Sequence, residues 1–314
     1  MASLWFKKIL TVFIQIFIVI TISFFLVRIM PGDPALLVLG TDKASNPEAI
    51  KQIHKELGLD TPPLHQYATY INDILHLDFG TSFANNTEVI NLLKETFPKT
   101  LELAIVAMII GSALGIVFGV IAAVNRGGMI DKGVSAVAAI GISFPVFITG
   151  AFFIIIFSFR LDILPASGYA EFWDNPMDHI IRLILPAITL AFSLSAPVAR
   201  MMRSSMLETL NKDFVQTLRA KGLNERLVIF KHILRNAIIS VVTVIGLELG
   251  NLIGGSVILE YLYNWPGINS LLVQSIEGRD FPVIQGSIIV IASFYIIINL
   301  LVEFIYGLMD PRTR

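Results

Sequence analysis

Six stretches of this chain are long and apolar enough to cross a lipid bilayer, and no other feature constrains the fold as much. They are residues 9–27, 103–124, 134–159, 183–199, 237–259 and 281–302. A hydrocarbon core of about 30 Å needs roughly 20 residues of helix. Lipid offers the backbone no hydrogen-bond partner, so such runs cross as helices. The first three carry no charge, and the fourth is charge-free but short, with Pro186 and Pro197 inside it. The fifth is interrupted only by Glu248, and the sixth is uncharged until Glu303. Residues are 55% hydrophobic and only 15% charged, too few charges to cover a soluble domain of this size. The reading is an all-α membrane protein with six transmembrane helices.

An even number of spans puts both termini on one side. That side holds Lys7, Lys8, Arg126, Lys132, the basic segment 200–236, Arg312 and Arg314, whereas nine of the 23 Lys and Arg fall on the other. The excess of positive charge predicts that both termini and residues 200–236 are cytoplasmic. Lys7 and Lys8 before an apolar run resemble a secretory signal. The run is too long, however, and no small-x-small cleavage site precedes Pro31-Gly32-Asp33-Pro34, so it reads as an uncleaved first span. The net charge of −1 gives no sign of a nucleic-acid partner, and the absence of cysteine excludes disulfides and thiolate metal sites.

Three regions follow: residues 1–29 with the first span, an external helical excursion at 30–98, and a core at 99–314. Within the excursion, Asn46-Pro47 looks like a helix cap, and Tyr67, Tyr70, Ile71, Ile74 and Leu75 share one face of a second helix. Gly111, Gly115 and Gly119 in the second span, and Gly246, Gly250 and Gly254 in the fifth, recur every fourth residue. Such a groove lets another helix approach closely, within the chain or from a partner. Glu248, Asn251 and Gly255 fall on a different face of the fifth span. A carboxylate at that depth needs a partner or water. It either lines a translocation path with Asn251 or fixes helix packing by a hydrogen bond. Glu303 reads as structural.

Residues 200–236 are too long for a simple connection and are punctuated as two short helices, near 201–210 and 213–221. Asp213 is a plausible N-cap and Gly222 a stop. By composition the pair could lie on anionic lipid headgroups. Its sequence, however, contains Leu218-Arg-Ala-Lys-Gly-Leu223 and His232-Ile-Leu-Arg-Asn-Ala237. With Gly32-Asp-Pro34, Leu57-Gly-Leu-Asp60, Asp78-Phe-Gly80, Ser143-Phe-Pro145, Leu185-Pro-Ala187, Trp265-Pro-Gly267, Arg279-Asp-Phe-Pro282 and Asp310-Pro-Arg312, these stand in an order that resembles one family over essentially the whole chain. That family is the binding-protein-dependent ABC importer permeases, in their oligopeptide/dipeptide/nickel branch. The sequence departs from the branch at Leu218, where Ala is usual, at Phe214 for Tyr, at Ser240 for Pro, and at Glu303 for Asp.

The resemblance implies a type I ABC importer permease fold in a bacterial cytoplasmic (inner) membrane. It also implies a second homologous permease subunit, two ATPase subunits and an extracytoplasmic solute-binding protein, which the 30–98 region is the place to receive. The loop helix would sit in a cleft on the ATPase. There Asp213, Arg219 and Lys221 would make polar contacts, Ala220 would pack closely and Gly222 would turn the chain. No phosphate-binding G-x-x-x-x-G-K-[ST] motif occurs, so this chain is expected to bind no cofactor itself, ATP and Mg²⁺ belonging to the partners. No catalytic constellation is found. The five histidines, at 54, 65, 76, 179 and 232, are expected in loops on solvated faces, without metal-ligand spacing. The substrate is di- or oligopeptide by the commoner use of the branch, or nickel or a metal chelate. A stand-alone secondary transporter is the reading from another class, but it would leave the basic loop without a role.

Overall fold

Charge-free runs fold as long helices. The computed structural model describes residues 2–29, 48, 51 and 60–309, so the Asn46-Pro47 cap falls outside the described residues. Five helices are long and apolar enough to span a membrane: α1 (Ala2–Ile29), α3 (Val89–Val124), α6 (Pro176–Leu210), α9 (Leu234–Gly255) and α12 (Phe281–Met309). Shorter helices are α2 (Pro63–Leu75), α4 (Met129–Ser143), α5 (Val146–Phe153), α7 (Asp213–Ala220), α8 (Glu225–Leu227), α10 (Val257–Leu262) and α11 (Ile268–Gly278). Wider π-helical turns, Ile154–Arg160 and Val228–Ile233, extend α5 and join α8 to α9.

The third expected span is not one rod. Residues 134–159 fold as α4 and α5, with a bend of 108° between Met129–Ser143 and Val146–Arg160. Pro145 is the cause. It disfavours helical geometry at the preceding residue, and Phe144 is extended at φ −86°, ψ 130°. Two further boundaries differ from the sequence reading. Residues 201–210 are not a separate helix but the end of α6, whose internal prolines do not end it. The fifth span stops at Gly255, because Ser256 leaves helical geometry before α10 begins.

Two compact units are formed. The first comprises residues 101–265 and 297–309. In it α6 lies in the glycine groove of α3. A Cβ on Gly111 would stand 2.7 Å from the Ala191 carbonyl oxygen, and one on Gly119 would stand 2.6 Å from Met202 Cβ. On the other side of α6, a Cβ at Gly141 of α4 would be 2.9 Å from Ala196 Cβ. The second glycine series is not a single groove. Gly246 abuts Val302 and Gly250 is buried, but a Cβ on Gly254 meets nothing within 4 Å.

Residues 2–100 and 266–296 form the second unit. The hydroxyls of Thr21 and Ser23 in α1 meet those of Tyr67 and Tyr70 in α2 at 2.7 and 2.9 Å. Ile74 is buried with Ile20 and Ile289, whereas Leu75, expected on the same face, is 74% exposed at the helix end. Asp280 is buried and accepts from Ser82 Oγ at 2.5 Å and from the Phe83 and Ala84 backbone N–H groups at 3.1 and 3.3 Å. The Asp-Phe-Pro element at 280–282 thus pins the loop that enters α3.

Candidate functional site

Glu248 and Asn251 sit one helical turn apart on α9 and open into one cavity of about 140 Å³. Ser193, Leu190 and Leu194 of α6 line its second wall, and Val146, the first residue of α5, contributes a third. Gly255 closes the α9 face, and a Cβ there would meet nothing within 4 Å. Among the described residues, the Glu248 carboxylate and the Asn251 carboxamide have no hydrogen-bond or ion-pair partner, so packing does not use them. Such a carboxylate is held by water or by a visiting cation.

The broken helix shapes this site. Pro145 ends α4 and turns the chain so that α5 presents its first residue to the cavity. Helix α5 is fastened to α6 by Tyr263, whose hydroxyl meets Thr189 Oγ1 of α6 at 2.8 Å and donates to the Gly150 carbonyl of α5 at 3.1 Å. Tyr263 is fully buried and ties three elements with one oxygen.

In the 200–236 segment, α7 stands on one anchor. Val215 is wholly buried, while Phe214, Gln216, Thr217, Arg219, Ala220 and Lys221 are exposed. Asp213 is the first residue of α7 and not its cap. Lys212 occupies the cap position without a side-chain bond, so Asp213 acts on the helix dipole alone. Gly222 has φ +76°, which glycine adopts without strain, and its N–H donates to the Arg219 carbonyl at 2.9 Å. Arg219 forms a two-pronged pair with Glu225, Nε to Oε2 at 3.1 Å and Nη2 to Oε1 at 2.5 Å. That carboxylate holds the Arg219 guanidinium above its ordinary pKa. The pair closes the turn around Gly222 while Ala220 and Lys221 stay exposed.

Two long-range polar contacts escaped the sequence reading. Arg203 of α6 donates to both oxygens of Asp131 in α4, at 2.5 and 2.8 Å, and the Gly127 N–H adds a third bond at 2.9 Å. His179 is not on a solvated loop. It lies in the first turn of α6, 2% exposed, with Nε2 2.7 Å from Glu102 Oε1 and Nδ1 2.7 Å from the Ala170 carbonyl. Trp265 and Tyr169 enclose it at ring separations of 6.0 and 5.5 Å. Burial first, then the charges of Glu171 and Glu102, push the Tyr169 phenol upward. These partners are 72 and 77 residues apart, and no local pattern joins them. Both nitrogens of this buried imidazole are occupied, one by the Ala170 carbonyl and one by the Glu102 carboxylate. No cluster able to hold a metal occurs among the described residues.

Comparison with known proteins decides what this geometry belongs to. The model of the "binding-protein-dependent transport system inner membrane component" family matches residues 115–314, and that of its N-terminal region matches residues 1–104. The chain belongs to this family. It is therefore a multi-pass inner-membrane transport component and not an enzyme, and it works with ATPase and substrate-binding components. Similar relatives include a Brucella abortus (strain 2308) protein named as a peptide transport system permease, 40% identical over 100% of this chain and 99% of that one. The dipeptide transport system permease protein DppB of Escherichia coli (strain K12) is 39% identical over 96% of each chain. The glutathione transport system permease protein GsiC of Shigella flexneri serotype 5b is 40% identical over 98% of this chain and 97% of its own.

Among solved structures, an inward-facing MetNI methionine ABC transporter chain superposes with a TM-score of 0.59 at 20% identity, covering 70% of this chain and 96% of that one. An amino acid ABC transporter superposes at 0.51 and 19%, covering 71% and 94%. At that identity the likeness establishes the fold, that of the type I importer permeases, for this family member.

Proposed function

We propose that this permease forms the translocation path for di- and oligopeptides in an ATP-driven importer. The observation that carries the proposal is its identity of 39–40% to named dipeptide and peptide permeases along nearly the full length of both chains. The cavity of Glu248 and Asn251 supports it, since a peptide is polar and must cross between apolar helices. In this reading the chain pairs with a second homologous permease and two ATPase subunits, which bind ATP and Mg²⁺. An extracytoplasmic binding protein delivers the substrate. The excess of Lys and Arg around residues 200–236 supports placing both termini and α7 in the cytoplasm. There the exposed Asp213, Arg219, Ala220, Lys221 and Gly222 enter the ATPase, and nucleotide-driven closure moves α6 and α9. Their continuity with the 200–236 segment supports direct transmission: α6 runs into it without a break, and α9 leaves it through a π-helical turn.

Calorimetric titration of the cognate binding protein with a dipeptide series and with Ni²⁺ tests the substrate, and uptake of the same solutes into vesicles holding the whole complex tests the path. Peptide binding and ATP-dependent peptide uptake are expected. A response to Ni²⁺ alone would overturn the peptide reading.

A further inference from the structure

We infer that Glu248 is the ammonium subsite of the translocation path, a place where the permease itself grips the free amino terminus of the peptide in transit. This inference rests on the peptide-import reading and deepens it. Three observations carry it. The Glu248 carboxylate is half-buried on a span, faces a cavity of about 140 Å³, and has no partner among the described residues. A carboxylate kept at that depth is costly unless a cation or water meets it. The walls beside it supply Ser193 and Asn251, neutral groups that accept hydrogen bonds, and no Lys, Arg or His. An ammonium has three donors and no acceptor, so one carboxylate oxygen, an amide oxygen and a hydroxyl match its needs. Leu190, Leu194 and Val146 complete an apolar wall suited to a side chain next to that ammonium. The vacant space over Gly255 leaves room for the rest of the backbone.

One charge-assisted contact of this kind, made and broken during each passage, suits a transporter better than a tight site. Losing it weakens binding roughly tenfold. The site selects for a free amino terminus and is indifferent to sequence, as a path serving many peptides requires.

Zero-length cross-linking on the whole complex, with its ATPase and permease partners, tests the inference. The complex is trapped with ATP and vanadate and given alanyl-alanine and a water-soluble carbodiimide. The carbodiimide adds to the Glu248 carboxyl, the peptide amine displaces it as a urea, and an amide forms. The tryptic fragment then gains the mass of the dipeptide less one water. That adduct is expected with alanyl-alanine, and not with N-acetyl-alanyl-alanine or in Glu248→Gln. In proteoliposomes, Glu248→Gln should import about tenfold fewer peptides per ATP hydrolysed. Wild-type uptake of alanyl-alanine with no adduct, or an unchanged ratio in the variant, overturns the subsite and leaves the peptide reading standing. A carbodiimide cross-link from Glu248 to a lysine of another subunit also overturns it, because the cation is then part of the protein. No uptake of any peptide by the wild-type complex overturns both.

Discussion

The contact of α3 with α6 makes the sharpest quantitative test of the fold. A Cβ on Gly115 would lie 2.6 Å from Val198 Cβ and Cγ1 and 2.8 Å from the Ser195 carbonyl oxygen. Carbon atoms pack at about 3.5–4.0 Å, so Gly115→Val leaves a deficit of roughly 1 Å before its two methyl groups are placed. Val198 is wholly buried and β-branched, so it has no free rotamer to adopt. The helices must therefore part, and the contacts at Gly111 and Gly119 loosen with them. Overpacking of this kind costs about 3 kcal/mol, the upper end of its usual range. For a chain of 314 residues that is a fall in Tm of about 4–5 °C. The control is Gly133→Val in α4, where a Cβ meets nothing within 4 Å. It carries the same loss of glycine and the same β-branched side chain without the clash. Intrinsic-fluorescence melting of the detergent-purified complex reads both. If the two variants melt within about 2 °C of each other, steric closeness of α3 and α6 is not what the glycines provide.

Three other perturbations follow from single contacts. Arg203→Leu takes the counter-charge from Asp131 and should lower Tm in the same melting assay, whereas an unchanged Tm would mean water replaces the arginine. Tyr263→Phe removes the oxygen that joins Thr189 to Gly150 and should cost about 1–2 kcal/mol, with the double variant Thr189→Val/Tyr263→Phe adding little more. Gly222→Asp should cost only about 1–2 kcal/mol, the strain of its positive φ, since the position is otherwise open. It should nevertheless uncouple ATP hydrolysis from uptake in vesicles, and full transport by this variant would refute the coupling role of α7.

Some of the site was legible before any fold was known. Glu248, Asn251 and Gly255 share a face because their spacing matches the helix period, and the structure brings all three to one cavity. Gly222 was marked as a turn by its place after α7, and its φ of +76° agrees. Other features were not legible. Nothing in the spacing of Asp131, Arg203, Glu102 and His179 announces that Arg203 meets Asp131 or that His179 meets Glu102, and Gly254 continues a glycine series without continuing its groove.

The sequence by itself determined that this chain lives in lipid, that its spans are helical, and where its positive charge lies. Those outcomes depend on short-range quantities: hydropathy summed over a turn or two, backbone groups with no other partner in hydrocarbon, and charge per loop. Only the tertiary structure decided that residues 134–159 bend by 108° instead of crossing straight, and that α6 occupies the groove of α3. It alone left the Glu248 carboxylate facing a cavity. Each of these is settled by which helix faces which. That choice depends on steric fit between surfaces far apart in the chain, and lipid, being equally apolar everywhere along a span, exerts no preference of its own.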